Sequence, residues 1–295
     1  MKDLSQVTFY TDLHRLDEPM RRCYLEEISR CGIKKLVLTN SMLSVIMGDH
    51  AMLKKYAAEL EDAGLSLVDS HALYGKIWDF NAPEYRDTVA MGHRFAMNIA
   101  AQLGIKSMTF HIGNDFIYPD VPPEQHIERI CRMLDILLPE AEKLDMVIAI
   151  ENSWSQLASP ENLLKIKALY DTEHLGFCFD SGHANIIDNG RLYEQGAAQE
   201  VWQPLGIDVP AWKTMEETLK LMQEHIVSCH LHDNNGQWDA HDCPGQGNID
   251  WNVVLKYLHK APRLQVYQSE VSILRHNLSI RELTGSFEKL FMLEA

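Results

Sequence analysis

The sequence predicts a single (β/α)8 barrel, because short apolar runs alternate with helical patterns eight times within 295 residues. A helical stretch, a turn containing glycine and an apolar run recur at intervals of roughly 30 to 40 residues, as at Gly32, Gly64 and Gly104. Glycine just past a helix end takes the left-handed cap conformation before the chain enters a strand. Successive βα units of this kind favour a closed barrel over an open, doubly wound sheet.

Eight apolar runs are the predicted strands. In chain order they are Val7–Tyr10, Lys35–Asn40, Ser66–His71, Lys106–His111, Met146–Asn152, Leu175–Asp180, Ile226–Leu231 and Leu264–Val271. Helical patterns separate them, for example Pro83–Leu103, Pro123–Leu144 and Pro160–Tyr170. Ser159 is suited to be the N-cap of the predicted helix Pro160–Tyr170, because Pro160 stands at the first position of that helix.

We expect one domain over residues 1–295, since barrels of this length commonly form undivided. The connection from Ile187 to Trp212 (residues 187–212) is longer than an ordinary βα return. We interpret it as a lid or as a contact in a homo-oligomer. Either role would set the size of the substrate.

Composition narrows the range of partners. The net charge of −15 weighs against nucleic acid and anionic membranes, which bind basic surfaces. No apolar run approaches the roughly 18 to 20 residues of a membrane span, and the first residues lack a secretory apolar region. The six cysteines form no C-x-x-C pair, which favours reduced thiols. We therefore expect a cytoplasmic protein with a small-molecule partner and no membrane contact.

Six of the eight predicted strands end in a potential metal ligand. These are His71, His111, Glu151, Asp180 with His183 just after it, His230 and Glu270. The loop after the seventh strand adds Asp239 and His241 and closes on a turn rich in Gly and Pro. Because the carboxyl ends of barrel strands converge on one face, these side chains are expected to meet there.

Side-chain alternation defines the layer beneath this cluster. If Glu151 points into the barrel, so do Val147 and Ala149, while Ile148 and Ile150 face the helices. The same rule places Thr109, Cys178 and Ser228 inside, and Phe110, Phe177, Phe179 and Val227 outside. The predicted inner layer is small or weakly polar, and the outer layer is bulky and apolar.

The ligand types predict a divalent metal ion. Imidazoles mixed with carboxylates suit Zn, Mn, Co or Fe, with Mg less favoured. Nine candidates exceed the needs of one ion, so either two or three ions share bridging carboxylates or one ion takes four ligands. A carboxylate ending an apolar strand is costly unless paired or coordinated. We therefore place Glu151, Asp180, His230 and Glu270 first among the ligands.

The remaining histidines are interpreted as surface residues, because they lie in helical or loop stretches. They are His14, His50, His93, His126, His174, His225, His259 and His276. His232 shares the parity of His230 but lies further along the chain, so it either lines the pocket or is solvated.

With these residues assembled, the chain resembles the xylose isomerase-like TIM barrel superfamily. That superfamily includes sugar phosphate isomerases and epimerases and the endonuclease IV-type AP endonucleases (AP endonuclease family 2). The matching motifs are Ile150-Glu151-Asn152, the run from Gly176 to His183, and His230 followed by Asp239-x-His241-x-x-Pro244-Gly245-x-Gly247. The resemblance covers nearly the whole chain and specifies the fold and metal site more closely than the substrate.

In the epimerase branch, the resemblance implies one divalent ion held by Glu151, Asp180, His230 and Glu270. Glu151 and Glu270 then act as the acid/base pair, while the ion polarises a carbonyl and stabilises the enediolate. The residues expected to contact a sugar are Tyr74, Trp78, Phe80, Asn152, Trp154 and His183, although loop packing is the alternative role for the three aromatic residues Trp78, Phe80 and Trp154. No Arg cluster marks a phosphate site, so a free sugar, polyol or keto-acid derivative is favoured.

In the endonuclease branch, all nine residues are implied as ligands of three zinc ions, and Tyr74 follows His71 at the matching spacing. Against this stand the net charge and the segment Ser41–His50, which contains no Lys or Arg to insert into DNA. A barrel that binds metal without catalysis is a third interpretation, supported if Glu151→Gln left every tested activity unchanged while metal remained bound. We favour the isomerase or epimerase, and we regard nucleic acid as the less favoured partner.

Overall fold

The structure, a computed structural model, describes residues 4–82, 86–188, 194–203 and 213–293. Eight parallel strands close into one barrel in chain order, which confirms the predicted (β/α)8 TIM barrel. The strands are β1 (Val7–Phe9), β2 (Lys35–Leu38), β3 (Ser66–His71), β4 (Ser107–Phe110), β5 (Val147–Glu151), β6 (Leu175–Asp180), β7 (Ile226–Leu231) and β8 (Val266–Ser269). His111 and Glu270 therefore lie one residue beyond their strands, at the start of the loops.

Helices pack around the barrel. Those in the described residues are α1 (Glu18–Arg30), α2 (Asn40–Gly48), α3 (Ala51–Asp62), α4 (Arg86–Gln102), α5 (Pro123–Lys143), α6 (Pro160–Ala168), α7 (Ser181–Ile186), α8 (Ala197–Trp202), α9 (Met215–Met222), α10 (Trp251–Leu258) and α11 (Ile280–Met292). The predicted start of α4 at Pro83 lies outside the described residues. Two strands, β2 and β6, are followed by more than one helix before the next strand begins.

The local signals at helix ends act as predicted. The Ser159 hydroxyl accepts a hydrogen bond from the backbone N–H of Asn162 and caps α6. Gly32, Gly64 and Gly104 adopt φ values of 86°, 68° and 77° just past helix ends. Only glycine takes this left-handed conformation without steric cost, which explains the recurring glycine turn.

The strands separate two layers, as alternation predicts. Ile148 and Ile150 are fully buried in the main apolar core between barrel and helices. Val147, Ala149 and Cys178 belong to a separate small cluster, which lies on the inward parity shared with Glu151. The polar rim thus stands above a narrow interior, while the large apolar side chains hold the helices in place.

Val227 corrects one prediction, because it packs with Ala149 and Cys178 inside the barrel rather than facing outward. The pairing of β6 with β7 shifts between Phe177 and Cys178, and Val227 is the extra residue. A one-residue bulge moves a side chain to the opposite face of a strand. Gly176 provides the space, since a Cβ there would lie 2.7 Å from Cγ1 of Val227.

Two histidines predicted to lie at the surface are buried instead. His93 and His126 are each 1% exposed. His93 lies four residues after Val89 and four before Met97, both fully buried, so it occupies the inner face of α4. Its Nε2 donates to the carbonyl oxygen of Trp78 at 3.0 Å. The prediction was wrong because the spacing of four residues from Val89 and Met97 places His93 on the buried face of the helix.

The long connection at 187–212 is described only at 187–188 and 194–203. In the described part, Trp202 of α8 is buried against Ile186 and Ile187, with Trp154 packed beside them. Its role as a lid or oligomer contact stays a prediction. None of the described helices combines the length and hydropathy needed to cross a membrane. The six cysteines are all free thiols.

Candidate metal centre

The carboxylate of Glu151 lies at the centre of the cluster of predicted ligands. Its Oε2 atom is 2.9 Å from Nε2 of His111 and 3.7 Å from Nε2 of His71. Its Oε1 atom is 3.0 Å from Nδ1 of His230 and 3.4 Å from Nδ1 of His183. The ends of β3, β4, β5 and β7 therefore meet at one buried carboxylate.

Four of the predicted ligands form the most compact set. One ligand atom from each of Glu151, Asp180, His230 and Glu270 lies within 4.8 Å of the others. Nδ1 of His230 is 3.5 Å from Oδ2 of Asp180 and 3.2 Å from Oε2 of Glu270. Three carboxylates and one imidazole at this separation fit a single divalent ion with mixed oxygen and nitrogen ligands.

A second group lies beside the first, around Asp239. Its Oδ2 atom is 2.9 Å from Nε2 of His241 and 3.6 Å from Nε2 of His183. His232, His241 and Glu270 also present ligand atoms within 4.8 Å of one another. All nine predicted ligands are thus brought together, with His232 as an additional neighbour.

Three of the histidines are oriented by backbone carbonyl groups. Nδ1 of His71 lies 2.8 Å from the oxygen of Ala72, and Nδ1 of His183 lies 2.9 Å from that of Asn152. Nδ1 of His241 lies 2.8 Å from the oxygen of Glu270. A carbonyl only accepts, so Nδ1 donates in each case and Nε2 is left free to bind a metal ion.

Electrostatic coupling is strong throughout the cluster. Burial would raise the pKa of Glu151, but the charges of His230 and His111 outweigh it and hold the pKa well below its usual range. Burial would lower the pKa of His183, but the charges of Asp180 and Asp239 raise it well above the ordinary value. The same negative field that favours an imidazolium would favour a bound cation in its place.

The loop that carries Asp239 and His241 is anchored at Asp233. The backbone groups of Asp233 and Asp242 exchange two hydrogen bonds, of 2.8 and 2.9 Å, and so close the loop at its base. The buried Asp233 carboxylate also accepts from the indole N–H of Trp251 at 2.9 Å and from the backbone N–H of Gly245 at 2.8 Å. A rigid base therefore presents two loop residues to the barrel mouth.

A cavity of about 630 Å³ opens over the cluster. Seven of the predicted ligands line it: His71, His111, Glu151, His183, Asp239, His241 and Glu270. Tyr74 and Trp154, two of the expected sugar contacts, also line it, and the ring of Trp154 meets that of His183 edge-on at 4.8 Å. Asp180 and His230 are fully buried at its floor. The cavity therefore joins the predicted metal ligands to two aromatic side chains, Tyr74 and Trp154.

Three of the expected sugar contacts lie elsewhere in the described residues. The amide of Asn152 is buried and bonds both backbone groups of Asp180, so it orients a ligand. Trp78 lies against Gly92 and His93 of α4, where glycine leaves space for the indole. Phe80 is buried in the core. Trp78 and Phe80 therefore pack within the protein, which is the alternative role given for these two aromatic residues.

The sequence analysis missed cavity residues such as Tyr10 and Asn40, because it took the expected sugar contacts only from the segments that follow the third, fifth and sixth strands. Tyr10 and Asn40 line the cavity, and the Tyr10 hydroxyl donates to the amide oxygen of Asn40 at 3.1 Å. Strand parity with Thr8 was an available signal for Tyr10. His232 is fully buried, with Nε2 at 3.1 Å from Oδ2 of Asp180 and its ring stacked on His241 at 4.0 Å.

The closed barrel carries a cluster of His, Asp and Glu side chains at the ends of its strands. The chain belongs to the xylose isomerase-like TIM barrel family, whose sequence profile matches residues 38–265. The chain spans only 45% and 36% of the lengths of two curated relatives, to which the matched segments are 26% and 33% identical. Family membership therefore follows from the profile and agrees with the fold.

Solved structures with similar folds cover nearly the whole chain. A D-tagatose 3-epimerase-like protein has a TM-score of 0.72 and 20% identity, covering 98% of this chain and 100% of that one. The 3-keto-D-glucoside 4-epimerase YcjR from E. coli has a TM-score of 0.71 and 14% identity, with coverage of 98% and 99%. The IOLI protein with a bound zinc atom has a TM-score of 0.67 and 16% identity, with coverage of 97% and 96%.

Proposed function

We propose that this protein is a metal-dependent isomerase or epimerase of a sugar-like substrate. The observation that carries the proposal is the position of Glu151 and Glu270, which contact the same Nδ1 atom of His230 at 3.0 and 3.2 Å. Both residues also line the cavity. Two carboxylates from β5 and from the end of β8 thus reach one substrate-sized space, as a proton transfer at carbon requires.

The residues present fit a divalent ion. Glu151, Asp180, His230 and Glu270 would hold it, and burial excludes water from three of them almost completely. When bound, the ion supplies a positive charge that polarises the substrate carbonyl and adjacent hydroxyl. The names of two similar structures, an epimerase-like protein and an epimerase, favour the same class of reaction.

Glu151 and Glu270 are the proposed proton carriers. Burial acts to raise the pKa of Glu270, but the charge of His230 and its hydrogen bond lower it below the usual range. Both side chains are therefore ionised near neutral pH and ready to accept a proton. One carboxylate would remove the α-proton to form an enediolate and release that proton to solvent, and the other, after taking a proton from solvent, would return it to carbon or oxygen.

The cavity favours a substrate without a phosphate group. Two arginines line it, but each already has a partner: Nε of Arg15 lies 3.3 Å from Asp12, and Nη1 of Arg275 donates to the Asp239 carbonyl oxygen at 3.0 Å. Tyr74 and Trp154 offer flat apolar surfaces suited to the C–H face of a sugar. We therefore favour a free sugar, polyol or keto-acid derivative.

The proposal is tested first by the metal content of freshly purified, untagged protein, measured by mass spectrometry. One Mn, Co, Zn or Mg ion per chain is expected. A panel of ketoses is then incubated with the metal-loaded protein in heavy water and scored for exchange of the α-proton. Metal-dependent exchange in the wild type and none in Glu151→Gln would support the proposal, while no exchange on any ketose would contradict it.

A second function has its own support. The groups around His71 with His111 and around Asp239 with His241 extend the ligand set beyond the four that one ion needs. Such a set suits two or three zinc ions and metal-assisted hydrolysis of a phosphodiester. Two or three zinc ions per chain, with cleavage of a duplex containing an abasic site, would favour this function despite the net charge of −15.

A further inference from the structure

One ligand histidine is oriented differently from its neighbours. In His71, His183 and His241, Nδ1 donates to a backbone carbonyl and Nε2 is left for the metal centre. In His230 the ring is reversed, with Nδ1 at 3.0 Å from the carboxylate of Glu151. Its Nε2 atom is buried and has no hydrogen-bond partner among the described residues. A histidine ligand usually donates its second N–H to a fixed acceptor, so this atom needs one.

Other polar atoms inside the barrel are also buried without a hydrogen-bond partner. Oδ2 of Asp69, Oγ1 of Thr8 and both amide atoms of Gln268 are buried without a partner in the described part of the chain. Strand pairing places Gln268 beside His230 on β7 and beside Thr8 on β1. Asp69 shares the inward parity of His71, two residues later on β3. These atoms therefore belong to the layer directly beneath the metal ligands.

Asp69 directs one oxygen into that layer. Its Oδ1 atom accepts from the Ser107 hydroxyl at 2.8 Å and from the backbone N–H of Ser70 at 2.9 Å, which leaves Oδ2. The barrel is narrow at this level, since Thr109 and Ser228 meet across it at 3.3 Å.

Asp69 and His230 stand on opposite sides of the barrel. The eight strands close in chain order, which places β3 opposite β7, and strand parity directs both side chains inward. Each presents one buried atom without a hydrogen-bond partner in the described part of the chain, Oδ2 of Asp69 and Nε2 of His230. The two side chains therefore face each other through the interior.

We propose that an ordered water molecule inside the barrel joins Nε2 of His230 to Oδ2 of Asp69 and to the amide of Gln268. The water accepts from two N–H groups, of His230 and Gln268, and donates to two oxygens, of Asp69 and Gln268. This set matches the four hydrogen bonds of one water molecule, and the Thr8 hydroxyl accommodates a second. Neither a cation nor an anion suits this site, because a cation would be repelled by the two N–H groups and an anion by the Asp69 carboxyl oxygen.

The consequence is that Asp69 is a positioning residue for the metal centre. By fixing the proton on Nε2, the water keeps the Nδ1 lone pair of His230 directed at the carboxylates. The effect on ion affinity rests on the metal-dependent function proposed above, whereas the water site itself does not. The two parts are therefore tested separately.

The water site is tested by a crystal structure of the metal-free wild type at a resolution that shows buried water. Density is expected within hydrogen-bond distance of both His230 Nε2 and Asp69 Oδ2. A direct contact between the two side chains, or a dry interior, would overturn the proposal. This readout requires neither bound metal nor activity.

The positioning role is tested by the affinity for Co²⁺, measured by competition with a chromophoric chelator. Asp69→Ala is expected to weaken binding about 10- to 100-fold, the effect typical of losing an outer partner of a ligand histidine. Asp69→Asn retains polar atoms and should restore part of the affinity. Thr109→Val removes the bond to Ser228 in the same layer and serves as the control, with affinity unchanged.

Two results would overturn the positioning role: wild-type Co²⁺ affinity in Asp69→Ala, or an equal loss in Thr109→Val. The absorption spectrum of bound Co²⁺ gives a second readout, because a turned imidazole alters the ligand field while a general loss of stability does not. If the wild type bound no Co²⁺, the proposed metal-dependent function and with it the positioning role would fail. The crystal structure would still decide the water site.

Discussion

Nδ1 of His230 lies 3.0 Å from Oε1 of Glu151, although 79 positions separate the two residues in the chain. The side chains are 0% and 2% exposed, so water screens their interaction very little. The contact joins β5 to β7 across β6, and both carboxylate oxygens of Glu151 face imidazole groups. Any change in the charge of Glu151 therefore alters the protonation of the histidines around it.

Replacing Glu151 with Gln keeps the shape of the side chain and removes its charge. We expect metal affinity to fall and α-proton exchange to drop by about 10²-fold or more, because both ligand and proton acceptor are lost. Exchange is followed in heavy water by proton NMR with saturating metal. Glu61→Gln, on the exposed face of α3, is the matched control. Equal activity in the two variants would remove Glu151 from the mechanism.

Metal binding is expected to release protons. Burial acts to lower the pKa of His230, but the charges of Cys178, Glu270 and Glu151 raise it well above the ordinary value. The metal-free centre thus holds imidazolium near pH 7, while a metal ion binds only the neutral form. The affinity for the metal ion should therefore rise between about pH 6 and 8, because fewer protons have to be displaced. Over the same range the free energy of unfolding of the metal-free protein should fall, because His230 loses the charge that pairs with Glu151 and Glu270.

Proton release is measured by calorimetric titration with Zn²⁺ in buffers of different ionisation enthalpy. The apparent binding enthalpy should depend on the buffer, and the slope gives the number of protons. An enthalpy that is independent of the buffer would show that the histidines are already neutral in the metal-free protein.

Gly182 leaves room for the ring of His232, because a Cβ at this position would lie 2.0 Å from Cε1 of that imidazole. Gly182→Ala should therefore displace His232 from Asp180 and destabilise the fold by about 1 to 3 kcal/mol. Urea unfolding in the presence of a chelator measures the change. Gly285→Ala is the control, since its Cβ meets open space in α11 and should stabilise by about 0.5 to 1 kcal/mol. Similar effects at both positions would contradict the close packing.

Asp233 is expected to be essential for the loop that presents Asp239 and His241. Its carboxylate accepts from three backbone N–H groups and the indole of Trp251. Asp233→Asn turns an amide N–H toward these donors, and we expect a loss of about 2 to 4 kcal/mol. Hydrogen exchange should then increase across 234–249. Trp251→Phe removes a single donor and should cost less, so an equal or larger loss would contradict this assignment.

His93 makes stability depend on pH. Burial lowers its pKa to about 4. Because the folded pKa lies below the unfolded one, the stability is fully present above pH 6.5 and is lost as pH falls toward 4. His93→Gln, which cannot titrate, should flatten the dependence by up to about 3 kcal/mol. Denaturant unfolding with a chelator between pH 4.5 and 7 tests this, with exposed His50→Gln as the control. Parallel curves for wild type and His93→Gln would refute it.

The strand-end positions account for most of what could be predicted about the site. A polar residue that ends an apolar strand, such as Glu151 or Asp180, is costly in isolation, so its presence indicates a partner. Six of the eight strands end in this way, and because the strands of a closed barrel converge at one face, the six ends meet without further information. The strand ends therefore predicted seven of the nine candidate ligands, and the loop after the seventh strand supplied Asp239 and His241.

Other features depended on contacts that no local pattern contains. The inward position of Val227 follows from a bulge between β6 and β7, and a bulge is a property of two paired strands. The burial of His93 depends on which face of α4 meets the barrel. Trp78 and Trp154 both follow strands as loop aromatic residues, yet only Trp154 lines the cavity. Spatial neighbours, rather than residue type, separate the two.

By itself, the sequence determined the barrel, the inward or outward direction of side chains on the regular strands and the residue types of the candidate ligands, because these follow from local periodicity and residue type. Only the tertiary structure decided which nitrogen of each histidine faces the centre. That choice depends on the acceptor nearest to the other nitrogen: the carbonyl of Ala72 for His71, and the polar interior around Asp69 for His230. Hydrogen-bond partners are set by distances across the fold, and those distances exist only once the barrel has closed.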